Sequence, residues 1–184
     1  MIRLLFFFLV IGFSSAKVYS QTLPEYKNPD GHYTFIPVKG WTVRTSGRES
    51  FAYAPADGGM DPWDEKLEFS VTDGDGIELN DAFDFYIKTD FPSAYGRYKL
   101  VNQGTEQING LESKWATFTF SAQGTAAGGT GSGDSTVTAT LQALFYVIKK
   151  DKSLYLINGV TEKNLFPKFE PSFRAIIRTF RVKE

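Results

Sequence analysis

Eleven carboxylates crowd residues 57–90: Asp57, Asp61, Asp64, Glu65, Glu68, Asp73, Asp75, Glu78, Asp81, Asp84 and Asp90, against only Lys66 and Lys88. Carboxylates at that density can hold a hard cation or form a general acid/base pair. Asp73-Gly74-Asp75-Gly76 opens like a Ca²⁺ loop, with carboxylates on alternate residues around glycine, so Asp73 and Asp75 are the candidate metal ligands. The full EF-hand pattern fails, because the fifth position is Ile77 and the twelfth is Asp84 rather than Glu. The competing role is a solvated turn whose negative charge favours a helix N-terminus. A carboxylate-based hydrolase would use the same acids, but their spacing identifies no acid/base couple.

The opposite charge lies at the C-terminal end. Residues 149–184 carry nine Lys and Arg against four acids. There Arg174, Arg178, Arg181 and Lys183 face solvent, neutralise the acidic segment within the chain, or dock an acidic partner. In the loop Gly59-Met60-Asp61-Pro62-Trp63-Asp64, Trp63 either packs on the sheet or stays exposed as an anchor. Met60, Asp61, Trp63, Asp64, Arg174 and Arg178 are therefore the candidate partner-binding residues. Other chemistries find little support. His32 is the sole imidazole and precedes the first strand; Gly131-Ser132-Gly133 lacks the nucleophile-elbow frame. The glycines of 124–133 lack the lysine of a phosphate loop and read as a flexible connection. The chain has no cysteine, which excludes thiol catalysis, disulfides and thiolate zinc sites. No cofactor is expected beyond the Ca²⁺ option.

These groups must be positioned by a chain of 184 residues, 42% hydrophobic, which suits one domain. Its formal net charge of −1 lacks the basic footprint of a nucleic-acid binder. Met1-Ile2-Arg3 followed by the apolar run Leu4–Phe13 reads as a signal peptide over 1–20. Ten helical residues span about 15 Å, half of a hydrocarbon core, so the run is no membrane anchor. Cleavage fits after Ala16 or after Ser20, with the second favoured, and no cysteine follows either site to make a lipoprotein. Losing Arg3 and Lys17 takes the charge from −1 to −3. The expected product is exported and periplasmic or extracellular, not embedded in a membrane, with a single domain over 21–184.

Short strands are predicted at 33–37, 41–44 and 50–54, and a half-exposed one where Leu67, Phe69 and Val71 alternate with polar residues. Leu79, Phe83, Tyr86, Ile87 and Phe91 predict a helix, capped by Asn80 and Asp81 and ended by Pro92. Strands 99–107 and 112–121 flank Asn109-Gly110, a strong hairpin signal, and strands 136–148 and 154–160 flank a charged turn. Leu141, Ala143, Phe145 and Val147 alternate with Leu144, Tyr146 and Ile148, so this strand is apolar on both faces and both must be covered. One cover is a last helix with the stripe Phe166, Phe169, Phe173, Ile176, Ile177 and Phe180, kinked or starting late at Pro171; the other is helix 79–91. The prediction is an α+β fold, an antiparallel sheet with helices on both faces.

Tyr33-Thr34-Phe35-Ile36-Pro37-Val38-Lys39-Gly40-Trp41 resembles the opening strand and turn of the PsbP-like superfamily. Ile108-Asn109-Gly110 before a strand and the closing Phe173-x-x-Ile176-Ile177-x-x-Phe180-Arg181 add to the likeness, which spans roughly residues 26–182. The resemblance implies an α/β/α sandwich and a binding or assembly role, with no shared active site. The residues at 57–65 and 121–135 have no counterpart in it. The expected function is an exported, non-enzymatic binding or assembly module of the cell envelope with an envelope protein as partner. A carrier of a small apolar ligand between sheet and helix is the alternative, and a carboxylate hydrolase the third.

Overall fold

The computed structural model describes residues 23–55, 63–126 and 135–183; the expected leader and both cleavage sites lie outside them. In chain order the elements are β1 (Tyr26–Lys27), β2 (Tyr33–Phe35), β3 (Thr42–Ser46), β4 (Glu49–Tyr53), β5 (Lys66–Asp73), α1 (Leu79–Phe85), a π-helical turn (Tyr86–Asp90) and α2 (Phe91–Ala94). There follow β6 (Gly96–Ile108), β7 (Leu111–Ala126), β8 (Ser135–Lys150), β9 (Ser153–Glu162), α3 (Phe166–Arg178) and β10 (Arg181–Val182). Seven strands form an antiparallel sheet in the order β3-β4-β5-β9-β8-β7-β6, and β1-β2-β10 form a small second sheet.

Two cores follow from the alternation in β8. Leu144, Tyr146 and Ile148 enter one with Phe35, Phe69 and the α3 residues Phe166, Phe169, Phe173, Ile176 and Ile177. Leu141, Ala143, Phe145 and Val147 enter the other with Phe83, Ile87, Phe91 and Phe118. The expected two-sided cover is present, but one side differs. The cover on the α3 side is completed by the small sheet, because Tyr33–Phe35 does not join the hairpin that follows it. All three residues of β2 are buried, and the Tyr33 hydroxyl donates to the Phe69 carbonyl (3.2 Å) and shares a hydrogen bond with Ser50 Oγ (2.8 Å), fastening one sheet to the other. Burial pushes that hydroxyl up to about 12.

Local expectations meet four further corrections. Glu78, not Asn80, precedes α1, and it makes no side-chain cap; Asp81 lies in the first turn. Pro92 does not end the helix but sits in the first turn of α2, after the π-helical turn. Proline lacks the N–H and its ring crowds the carbonyl four residues back, here Lys88, so a wider preceding turn relieves the clash. Helix α3 starts at Phe166, well before Pro171, and stops at Arg178. Phe180 is buried beyond the helix and lies parallel to Phe69 at 6.1 Å. Finally, 121–126 is strand rather than loop, paired in register with 135–140 from Ser121↔Thr140 to Ala126↔Ser135, so Gly124 is a ladder residue. Asn109 (φ 49°) and Gly110 (φ 85°) both occupy the left-handed region that a tight hairpin needs, as their types predict.

Gly159 sets how closely α3 approaches the sheet. A Cβ there would lie 2.9 Å from Leu67 Cδ2 and 3.0 Å from Phe173 Cδ2. Gly159→Ala is expected to overpack this contact and lower stability by about 1–3 kcal/mol. Thermal unfolding measures it, and an unchanged melting temperature would contradict the close contact.

Candidate functional site

The four turns at one end of the large sheet gather charge from remote parts of the chain. The ladders end there at Ser46↔Glu49, Asp73↔Ser153, Ile108↔Leu111 and Lys150↔Ser153. The second sheet reaches the same end, where Lys183 N donates to the His32 carbonyl at 3.0 Å. Two depressions result. The first, about 530 Å³, is lined by His32, Arg48, Val71, Thr72, Asp73, Lys152 and Ser153. The second, about 240 Å³, is lined by Asn109, Leu111, Lys150, Arg181, Val182 and Lys183.

The first depression brings His32, Asp73 and Ser153 into one cleft, the residue types of a nucleophilic triad, but they are not wired as one. Asp73 Oδ1 accepts the N–H of Asp75 at 3.0 Å. The His32 ring has no hydrogen bond among the described residues, whereas a triad needs base-to-nucleophile and base-to-carboxylate bonds. The Ca²⁺ candidates are committed as well: Asp75 pairs with Lys152 at 2.9 Å, and no group of three His, Asp or Glu suited to a metal occurs among the described residues. A cation at Asp73 and Asp75 would first have to displace the Lys152 ammonium.

The partner-binding candidates separate. Met60 and Asp61 lie outside the described residues. Trp63 is half-buried against the core beneath α1, and Asp64 is exposed. Arg174 is not a solvated docking cation. It donates from Nε to Glu170 Oε1 (2.9 Å) and from Nη1 to the Tyr146 hydroxyl (2.7 Å), and its guanidinium lies 4.8 Å from the Trp115 ring centroid. Tyr146 in turn donates to Glu106, and burial holds its hydroxyl far above the ordinary tyrosine range. This network ties α3 to β6, β7 and β8. Arg178 is exposed and has no side-chain partner among the described residues. The acidic and basic segments do meet, through Lys152–Asp75 and Lys149–Glu78 (3.8 Å), yet Arg48, Arg181 and Lys183 keep no ion-pair partner among the described residues. Sequence reasoning passed over Arg48, which only the β3–β4 turn carries to this end.

The apolar and carboxylate alternatives meet specific obstacles. The space between the sheet and its α3-side cover is filled by Phe35, Phe69, Phe173 and Phe180, each at most 1% exposed, with the Phe35 and Phe69 rings stacked at 4.1 Å. Glu68 has its affinity for a proton raised, first by burial and then by Glu49, with Lys66 opposing. It lies opposite Asn158 in the β5–β9 register, where Asn158 Oδ1 is buried without a donor among the described residues. Glu49, however, is exposed in β4.

Two outcomes follow. Arg174→Lys keeps the charge but loses the planar, two-nitrogen contact with Glu170 and the stacking on Trp115, so it is expected to destabilise by about 1–3 kcal/mol in denaturant unfolding. An effect indistinguishable from zero would remove the network's role. For Glu68 the raised folded pKa means that stability falls as pH rises through and above the ordinary Glu range. Glu68→Gln should therefore melt higher than the parent at pH 7, with the gap closing as pH falls toward 4; a gap independent of pH would contradict the assignment.

No protein-family model and no curated protein matches the chain. Solved structures do. Cyanobacterial PsbP (CyanoP) from Synechocystis matches with TM-score 0.58 at 15% identity, covering 94% of this chain and 99% of its own. LpqN, involved in cell envelope biogenesis of Mycobacterium tuberculosis, matches with TM-score 0.53 at 10% identity, covering 88% and 90%. The Ran-binding protein Mog1p of Saccharomyces cerevisiae matches with TM-score 0.51 at 11% identity, covering 86% and 94%. No helix among the described residues is long and apolar enough to cross a membrane. A seven-stranded antiparallel sheet clad on both faces, with these matches along most of its length, has the PsbP-like fold.

Proposed function

We propose that this chain is an exported, non-enzymatic binding or assembly module of the cell envelope, and that its basic end docks an acidic segment of a partner protein. One observation carries this reading: Arg48, exposed and without an ion-pair partner among the described residues, lines an open cleft of about 530 Å³ together with His32, Asp73 and Lys152, the last of these paired with Asp75. An unmatched cation at the rim of a concave surface attracts the opposite charge and orients its approach. Other features agree with it. The described core on the α3 side leaves no room for a carried ligand, and the triad residue types in the cleft are hydrogen-bonded elsewhere or not at all. Among the fold relatives, LpqN belongs to cell envelope biogenesis and Mog1p binds Ran, so the scaffold accommodates both an envelope setting and protein binding.

Tagged protein captured from its native envelope, compared with Arg48→Glu, tests the proposal. Arg48 is exposed and makes no contact that the fold needs, so the variant should fold as the parent does. The expected result is a saturable partner whose binding weakens with salt and drops about tenfold or more in Arg48→Glu, in line with loss of a charge-assisted contact of roughly 1.5–3 kcal/mol. Equal capture by both proteins would overturn docking at this end.

A further inference from the structure

We propose that the second depression, between β10 and the β6–β7 and β8–β9 turns, is a binding site for a phosphate group. This goes beyond the docking surface above, because it rests on different residues and stands whether or not a protein partner binds at His32 and Arg48.

The depression encloses about 240 Å³ and is lined by Lys150, Arg181 and Lys183 with Asn109, Leu111 and Val182; among the described residues no carboxylate lines it. Its charge arrangement follows from local structure. Val182 in β10 packs on the core, while Arg181 and Lys183 on either side of it are exposed and line the depression. Lys150 arrives as the last residue of β8. The floor is held in place by Asn109, whose Nδ2 donates to the carbonyls of Phe180 (2.7 Å) and Arg178 (3.0 Å). That amide joins the hairpin to the end of α3, so the turn and β10 move together as one wall and the other.

Three like charges converge here with little to offset them. Arg181 and Lys183 have no ion-pair partner among the described residues, and Lys150 has only its exposed neighbour Asp151 at 3.9 Å. Lys152, Lys149 and Lys88 are matched, with Asp75, Glu78 and Asp84; Arg48 and Arg178 are also unmatched among the described residues, but neither shares a depression with two further cations of that kind. Unmatched cations repel one another and oppose folding, so their grouping has no structural benefit to explain it. A bound anion supplies that benefit. A single carboxylate would leave most of the charge unbalanced, whereas a phosphate monoester carries close to two negative charges at pH 7 and three acceptor oxygens. Arg181 can meet two of those oxygens in parallel while the lysines act as point charges.

The phosphate can be free or the headgroup of a lipid, and two arms separate these sources. In the first, melting temperatures of the parent and of Arg181→Gln/Lys183→Gln are compared with inorganic phosphate at about 10 mM and with chloride at equal ionic strength. The expected result is a rise of several degrees for the parent in phosphate only, and none for the double variant. Without phosphate at low salt, the variant should melt no lower than the parent, which guards against a folding defect. In the second arm, vesicles of phosphatidylcholine with and without phosphatidic acid are sedimented with each protein. Retention by phosphatidic acid that the variant loses assigns the group to a lipid, and a response to inorganic phosphate alone assigns it to a free phosphate. Equal responses of parent and variant, or no response to either probe, would overturn the site. Because Arg48 is untouched, partner capture by the double variant remains intact if only this proposal fails.

Discussion

Because β8 is apolar on both faces along most of its length from Leu141 to Ile148, the sheet has to be covered twice, and the rest of the architecture is arranged around that requirement. An antiparallel strand exposed on one side would carry polar residues at alternate positions. Here Tyr146 is the main polar exception, and its hydroxyl is satisfied by Glu106 and Arg174. Helix α1, the π-helical turn and α2 lie over one face; α3 and the small sheet lie over the other. Gly159 allows the second cover to sit close, and the Tyr33 hydroxyl fastens the small sheet to it.

The same requirement leaves the ends of the strands as the place where polar groups collect. Both faces of the sheet's centre are occupied, so charged residues are displaced to the turns and to the outer strands. Arg48, Lys150, Lys152, Arg181 and Lys183 all reach the one end where four turns and the last strand meet. Part of the charge there is balanced by Asp75 and Glu78, contributed by the segment linking β5 to α1. The pairs are exposed, so each contributes little to stability, but they set which cations remain available. Arg174 shows the opposite case: its charge is spent inside the molecule on Glu170 and Tyr146, although a helical wheel alone puts it on the outer side of α3.

Much of the fold was legible in the residues. The stripe of α3, the alternation of β8 and the Asn109-Gly110 hairpin each follow from a local rule with a period of 3.6, a period of two, or a demand for positive φ. The misplaced boundaries share a cause, which is competition between local preference and neighbours distant in sequence. Pro92 would end an isolated helix, yet packing of Phe91 against Phe118 and Phe145 carries the helix past it. Gly124 suggests a loop, yet pairing with Val137 keeps it in the ladder. Of the candidate site residues, the basic C-terminal segment was visible as a run of charge, while Arg48 was hidden in an ordinary hairpin.

The amino-acid sequence by itself determined the α+β class, the two-sided cover and the separation of an acidic stretch from a basic one. Those depend on composition and periodicity, which act over a few residues. Tertiary structure alone decided which charges meet. It paired Lys152 with Asp75, 77 positions away, withdrew Arg174 into the network around Tyr146, and left Arg181 and Lys183 unmatched among the described residues beside Lys150. Charge is a property of each residue, but its availability depends on distance and burial, and those are set only when the strands align and the helices close over them.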